Sequence, residues 1–273
     1  MERQTSMELL ARQERWIVLA GLALITLTSW LWVLAGAGTG MSTWAMTTWQ
    51  FPPPVFGMMF EEWTLQYAII MFFMWWIMMI AMMTPSAAPM ILLYAGAYRH
   101  EQRQGKLASG IVPTFAFVLG YLIAWAMFSL IATGLQWGLE RAGLIHQMKM
   151  WSISSAFSGA LLIAAGIYQL SSFKEVCLKH CRSPAQFLAE HFEPGMIGAF
   201  NVGWRHGLYC LGCCWFLMAL LFAGGIMNLV WIAGLAIFVL IEKVAPMGHS
   251  IARIAGAGMV VSGLWVLVRT VLT

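Results

Sequence analysis

Residues 71–90 read MFFMWWIMMIAMMTPSAAPM, and the run from 66 to 98 around them holds no charged residue. A helix spanning a bilayer needs about 20 predominantly apolar residues. Apolar residues here are continuous rather than alternating, which fits a helix and not a barrel strand. The same reading repeats along the chain. Of 273 residues 61% are hydrophobic and only 10% charged, against about 25% charged in an ordinary soluble domain. The expected fold is therefore all-α: a polytopic transmembrane helix bundle forming one integral membrane domain over 1–273.

Apolar runs predict seven spans, over 16–37, 66–98, 110–138, 152–170, 203–227, 229–245 and 251–272. The second is expected to break at Pro85 and Pro89, because proline removes a backbone donor and clashes with the preceding turn. Residues 38–66, with Phe51-Pro52-Pro53-Pro54 and Glu61-Glu62, read as a loop. So does 171–203, which carries two cysteines. The tight turn at Asn228 predicts the fifth and sixth spans to be antiparallel neighbours. No cleavable signal peptide is apparent, so the first run reads as a retained helix.

Charge placement orients the bundle. With the N-terminus (1–15) cytoplasmic, inner segments hold twelve Lys and Arg and outer segments hold three, Arg141, Lys149 and Arg269. This topology accounts for most of the net charge of +4, which gives no reason to expect nucleic acid as a partner. The chain contains no aspartate, which excludes phospho-aspartate pumping and any mechanism that needs Asp as a base. The setting is a bacterial inner membrane, with the lipid bilayer as first partner and other membrane subunits or a metal-delivering protein beyond it.

All five cysteines fall between 177 and 214, on the predicted cytoplasmic side, where thiols stay reduced. Each helical residue turns by about 100°. Taking His206 as zero, Cys210 falls near 40°, Cys213 near −20° and Cys214 near 80°, roughly one stripe. One helix cannot close a tetrahedral site. The preceding loop supplies Cys177 and Cys181, spaced i, i+4 for one helical turn, with His180 between them and His191 further on. Two such sulfur pairs suggest a Cu(I) or Zn(II) site, since thiolates select these ions over Mg(II) and Ca(II). Lys179, Arg182 and Arg205 would favour thiolate. Cysteine also serves as a small, nearly apolar packing residue.

Met71, Met74, Met78 and Met82 follow i, i+3, i+7, i+11 on one helical face, with Met79 and Met83 beside them and Met90 past Pro85. Thioether is a soft ligand suited to Cu(I), so the stripe is a candidate ion path that tilts the metal towards copper. Core packing against the tryptophans explains the same pattern. Glu242, near the inner end of the sixth span, is either a hard ligand or paired with Arg253 or Arg205. Asn201 and Asn228 read as helix caps, 99–103 as a solvated loop, and His146 and His249 as interfacial. No catalytic residue stands out.

Four stretches together resemble an uncharacterised bacterial family of predicted metal-binding integral membrane proteins. They are Trp76-x-Met78-Met79-x-Ala81-Met82-Met83-x-Pro85-Ser86, Cys177-Leu178-x2-Cys181-Arg182-Ser183-Pro184, Gly207-x2-Cys210-x-Gly212-Cys213-Cys214-Trp215-x-Leu217-Met218, and Glu242-Lys243-x2-Pro246-x-Gly248. The resemblance implies a membrane fold and a bound metal. The expected function is binding, and translocation or delivery, of a soft metal ion, copper before zinc. Two other readings stay open: an accessory subunit of a larger membrane complex, and a thiol–quinone oxidoreductase using the vicinal Cys213-Cys214.

Overall fold

The computed structural model describes residues 2–53, 62–108 and 110–272, with residues 2–14 traced by backbone alone. Pro54 and Glu61 lie outside the described residues, as do the side chains of Arg3 and Arg12. The described chain is helical, with one isolated β-bridge, Ile145 to Ser152. Helix α1 spans Glu2–Leu34, α2 Leu65–Arg103, α3 Thr114–Arg141, α4 Ser155–Gln169 and α5 Ser172–Arg182. Then follow α6 Pro184–His191, α7 Gly195–Ala219, α8 Leu221–Gly224, α9 Leu229–Val244 and α10 Gly248–Leu272.

Five helices are long and apolar enough to cross a membrane: α2, α3, α10, the Arg15–Leu34 part of α1, and α7 with α8 as Gly195–Gly224. A sixth appears if α4 and α5, bent by 63° at their junction, count as one span. Helix α9 has 16 residues, just below the ~17–25 of a usual bilayer span. The lipid-like character is in the surface. Leu24, Leu31, Val261 and Val271 are 64%, 65%, 67% and 86% exposed, along the outer faces of α1 and α10, where a water-soluble protein would place polar groups.

Helix α2 is unbroken, contrary to the expectation at Pro85 and Pro89. Pro85 cannot donate to the carbonyl four residues before it, that of Ala81. Trp30 of α1 does so instead, its Nε1 donating to Ala81 O at 3.1 Å. Tyr121 Oη and Ser86 Oγ both donate to Met83 O, at 3.2 and 2.9 Å. Trp30 thus replaces the donor that Pro85 lacks, as a neighbouring side chain can where no water reaches. Residues 99–103, expected as loop, are the last turn of the same helix.

Two helix pairs pack backbone to backbone. In α3–α7, a Cβ added at Gly203 would lie 2.0 Å from Phe117 O, and one at Gly120 2.2 Å from Phe200 O. These two helices run parallel. In α4–α10, Gly159 meets Gly263 and Gly166 meets Gly256, an antiparallel contact. Small residues permit such approach where packing, not water exclusion, drives association. The predicted loop 171–203 instead folds: Ser171 caps α5 by accepting from Lys174 N, α6 follows, and α7 begins at Gly195. Asn228 caps α9, accepting from Val230 N at 3.1 Å. Helix α9 packs most heavily on α2 and also touches α7 and α8; with Lys243 of α9 at Cys210 of α7, the predicted fifth and sixth spans meet as antiparallel neighbours across the tight turn.

Candidate metal centre

Helix α7 carries Cys210, Cys213 and Cys214, each at most 1% exposed. The last two donate to Cys210 O at 3.1 and 2.9 Å. This local bond ties their thiols back against the helix and aims them at its neighbours. From α5, Cys181 Sγ reaches to 3.9 Å from Cys213 Sγ. From α2, Met83 Sδ stands 4.0 Å from Cys214 Sγ. From α9, Lys243 Nζ donates to Cys210 Sγ at 2.9 Å and to Ser86 Oγ at 3.1 Å. From α3, Tyr121 Oη lies 3.3 Å from Cys210 Sγ. Five helices thus converge on one sulfur cluster, beside the proline-containing turn of α2.

The spacing can be tested against a bound ion. Metal–sulfur bonds of about 2.3 Å put two sulfurs ~3.8 Å apart at a tetrahedral angle and ~4.0 Å apart at a trigonal one. Both sulfur pairs fall in that range. Among the described residues no group of three or more His, Cys, Asp or Glu is arranged to hold a metal; the sulfurs meet in pairs, one of which includes a thioether. His206, one turn before Cys210, is 3% exposed, and its Nδ1 has no hydrogen-bond partner. An orphaned buried ring nitrogen fits a ligand role and is costly otherwise. Its ring stacks on Tyr121, at 5.9 Å between centroids.

The remaining predicted residues divide. Cys177 is buried, but its sulfur packs on Gly212, where an added Cβ would come within 2.9 Å. The contacts of His180 lie elsewhere: Nδ1 pairs with Val176 O at 2.8 Å and the ring stacks on Tyr209 at 4.3 Å. His191 stacks on Phe187 in the same way. Met71, Met74, Met78 and Met82 are buried in the core, yet Met83 on the adjacent face is the methionine that reaches a cysteine.

Glu242 corrects the expectation most sharply. Its partner is neither Arg253, which is 3.9 Å from Glu175, nor Arg205, 3.7 Å from Glu193. It forms a buried ion pair with Lys174 of α5 at 2.8 Å, and Gln169 Nε2 donates to it at 2.6 Å. Both carboxylate oxygens are held by the Lys174 ammonium, so Glu242 is turned to a protein cation rather than to the sulfurs. Arg182, expected to act on the thiols, donates to the backbone carbonyls of Glu242, Ala245 and Pro246. These bonds fasten α5, and with it Cys181, to the end of α9. Asn201 is not a cap: it lies inside α7 and donates to Glu193 at 3.2 Å. His146 is buried, its Nδ1 accepting from Met148 N and Lys149 N.

Lys243 was legible only as the neighbour of Glu242. Adjacent residues on a helix point about 100° apart, so one of the pair had to face another way. That Lys243 is the one facing the sulfurs follows from the cluster on α7, which the Glu-Lys dipeptide does not reveal.

Buried thiols, a thioether and a lysine thus meet at one helix junction of a protein whose described residues are helical. The particular family follows from the chain itself: the model of PpoB2, a copper chaperone family, matches residues 72–266, and the chain belongs to that family. The matched region begins in the methionine run of α2, ends in α10, and contains every cysteine. No curated protein and no solved structure matches the chain.

Proposed function

We propose that the protein is a multi-pass carrier of Cu(I) in a bacterial inner membrane, receiving or delivering the ion at the sulfur cluster between α5 and α7. Cys181 and Cys213 bind it, and Cys214 and Met83 form an adjoining pair for transfer. The carrying observation is the 3.9 Å separation of Cys181 Sγ and Cys213 Sγ, contributed by two different helices.

Charge and coordination number both favour copper over zinc. Structural zinc sites use four ligands, whereas Cu(I) is content with two or three. Two thiolates and one Cu(I) carry a net charge of −1, which the ammonium of Lys243 cancels. The same pair around Zn(II) would leave Lys243 uncompensated in a buried site, a costly arrangement. The buried methionines of α2, neutral soft donors one to two turns apart, support passage of the ion along that helix.

In this reading α1, α2, α3, α4 with α5, α7 with α8, α9 and α10 make seven crossings, with the N-terminus and the cysteine cluster cytoplasmic. The parallel run of α3 and α7 and the antiparallel run of α4 and α10 agree with that order, and so does the bias of Lys and Arg. A protein that donates or accepts Cu(I) is the implied partner.

The test is metal analysis of detergent-purified protein loaded with Cu(I). One equivalent of copper held by the natural chain and missing from Cys181→Ser/Cys213→Ser supports the reading. Equal copper in both, or none in either, refutes it.

A further inference from the structure

A second cluster lies towards the other end of the methionine stripe. Glu140, in the last turn of α3, is 4% exposed. Its partners are neutral: Trp63 Nε1 donates at 2.7 Å and Gln136 Nε2 at 2.8 Å. None of the ion pairs among the described residues involves it, and the guanidinium of the adjacent Arg141 lies over Trp137 instead. The same Gln136 Nε2 is 3.5 Å from Met71 Sδ, and Gln136 Oε1 accepts from Trp75 Nε1 at 2.9 Å. One amide group therefore bridges a buried carboxylate and the first thioether of the stripe, in the position a small cation would take between them.

The cluster also has an approach. Trp63 packs edge-on against Tyr67, at 4.9 Å between ring centroids. Tyr67 lines a cavity of about 790 Å³ whose wall also holds Met41, Met148 and Met150. A buried ionisable group in a membrane helix is a functional-site hypothesis by default, and this one stands behind Trp63 and Tyr67 from the cavity and one amide from Met71.

We propose that Glu140 and Met71 form a second Cu(I) station, separate from the cysteine cluster; this rests on the copper reading above. Thioethers carry no charge, so an ion among methionines alone would keep its full charge in a low-dielectric interior. Glu140 supplies a compensating anion. On binding, the Gln136 amide swings out, and the carboxylate and thioether close from hydrogen-bond distance to coordination distance. Each end of the buried methionine run would then hold one neutralising partner set, thiolates at one and a carboxylate at the other.

The experiment counts Cu(I) bound against a colorimetric Cu(I) chelator. The intact chain is expected to bind a second equivalent that Glu140→Gln loses, while the cysteine-dependent equivalent stays. Glu140→Gln keeps the side-chain shape and an acceptor for Trp63, so elution as a single species checks its fold. A chain with all five cysteines changed to serine is expected to retain one equivalent, weakened about tenfold or more by Met71→Leu. Unchanged stoichiometry and affinity in Glu140→Gln, or no copper at all in a folded cysteine-free chain, overturns the second station. Neither result touches the cysteine site, whose own failure shows separately as loss of nothing on Cys181→Ser/Cys213→Ser.

Discussion

Replacing Glu242 with Gln tests whether this carboxylate is structural. Lys174 and Glu242 stand 2.8 Å apart with side chains 1% and 2% exposed. At an effective dielectric of about 20, their attraction is about 6 kcal/mol. Desolvation offsets much of that, so the pair adds little over an apolar contact of the same volume. Breaking it from one side is different: Glu242→Gln leaves the Lys174 ammonium buried with only amide oxygens for company. Loss of one partner of a buried pair costs about 3–5 kcal/mol. In a chain of this size that is a fall in melting temperature of roughly 10 °C. Lys174→Met should cost about as much. The double variant Lys174→Met/Glu242→Leu removes both charges and should recover the loss, ending level with the natural chain or about 1–4 kcal/mol above it. Thermal unfolding of the four proteins in one detergent, followed by circular dichroism, gives the cycle. Single variants that melt within about 1 °C of the natural chain would refute the reasoning, as would a double variant whose loss equals the sum of the singles.

Other expectations follow from the same contacts. Lys243→Met removes the cation 2.9 Å from Cys210 Sγ and should weaken Cu(I) binding about 10–100-fold, measured by chelator competition, as for other groups that support ligands. Trp30→Phe orphans Ala81 O beside Pro85 and should cost about 1–3 kcal/mol in thermal unfolding. Gly203→Ala drives a methyl into Phe117 O, a backbone atom that cannot turn aside, and should destabilise by about 1–3 kcal/mol. Gly234→Ala on α9 meets nothing within 4 Å and should be neutral or slightly stabilising by the same measurement.

Much of this arrangement can be read from the residues because lipid leaves few choices. Long apolar runs must be helices, and the i, i+4 spacing of Cys177 and Cys181 does fall on a helix, α5, that meets α7. What the spacing cannot supply is which neighbour answers a local defect. Pro85 signals a break, and the break is absent because Trp30, fifty-one positions before the Ala81 carbonyl it bonds, provides the missing donor. Met82 and Met83 differ by one step of a helix, about 100°, and only the packing of α2 on α7 selects Met83. Glu242 draws attention as a charge in an apolar run, yet it binds Lys174, while Lys243 reaches the thiols. Glu140 is inconspicuous in sequence beside Arg141, and its significance lies in Gln136, one turn back on α3, and in Met71 on another helix. In each case local pattern identifies the element and long-range contact assigns the role.

The most direct measurement is X-ray absorption at the copper edge of the Cu(I)-loaded, detergent-purified chain, compared with Cys181→Ser/Cys213→Ser. A sulfur shell at about 2.3 Å in the natural chain, weakened and partly replaced by lighter scatterers in the variant, is the predicted result. A shell of nitrogen and oxygen alone in the natural chain, or an identical sulfur shell in both proteins, would contradict the assignment of Cys181 and Cys213 as the pair that holds the ion.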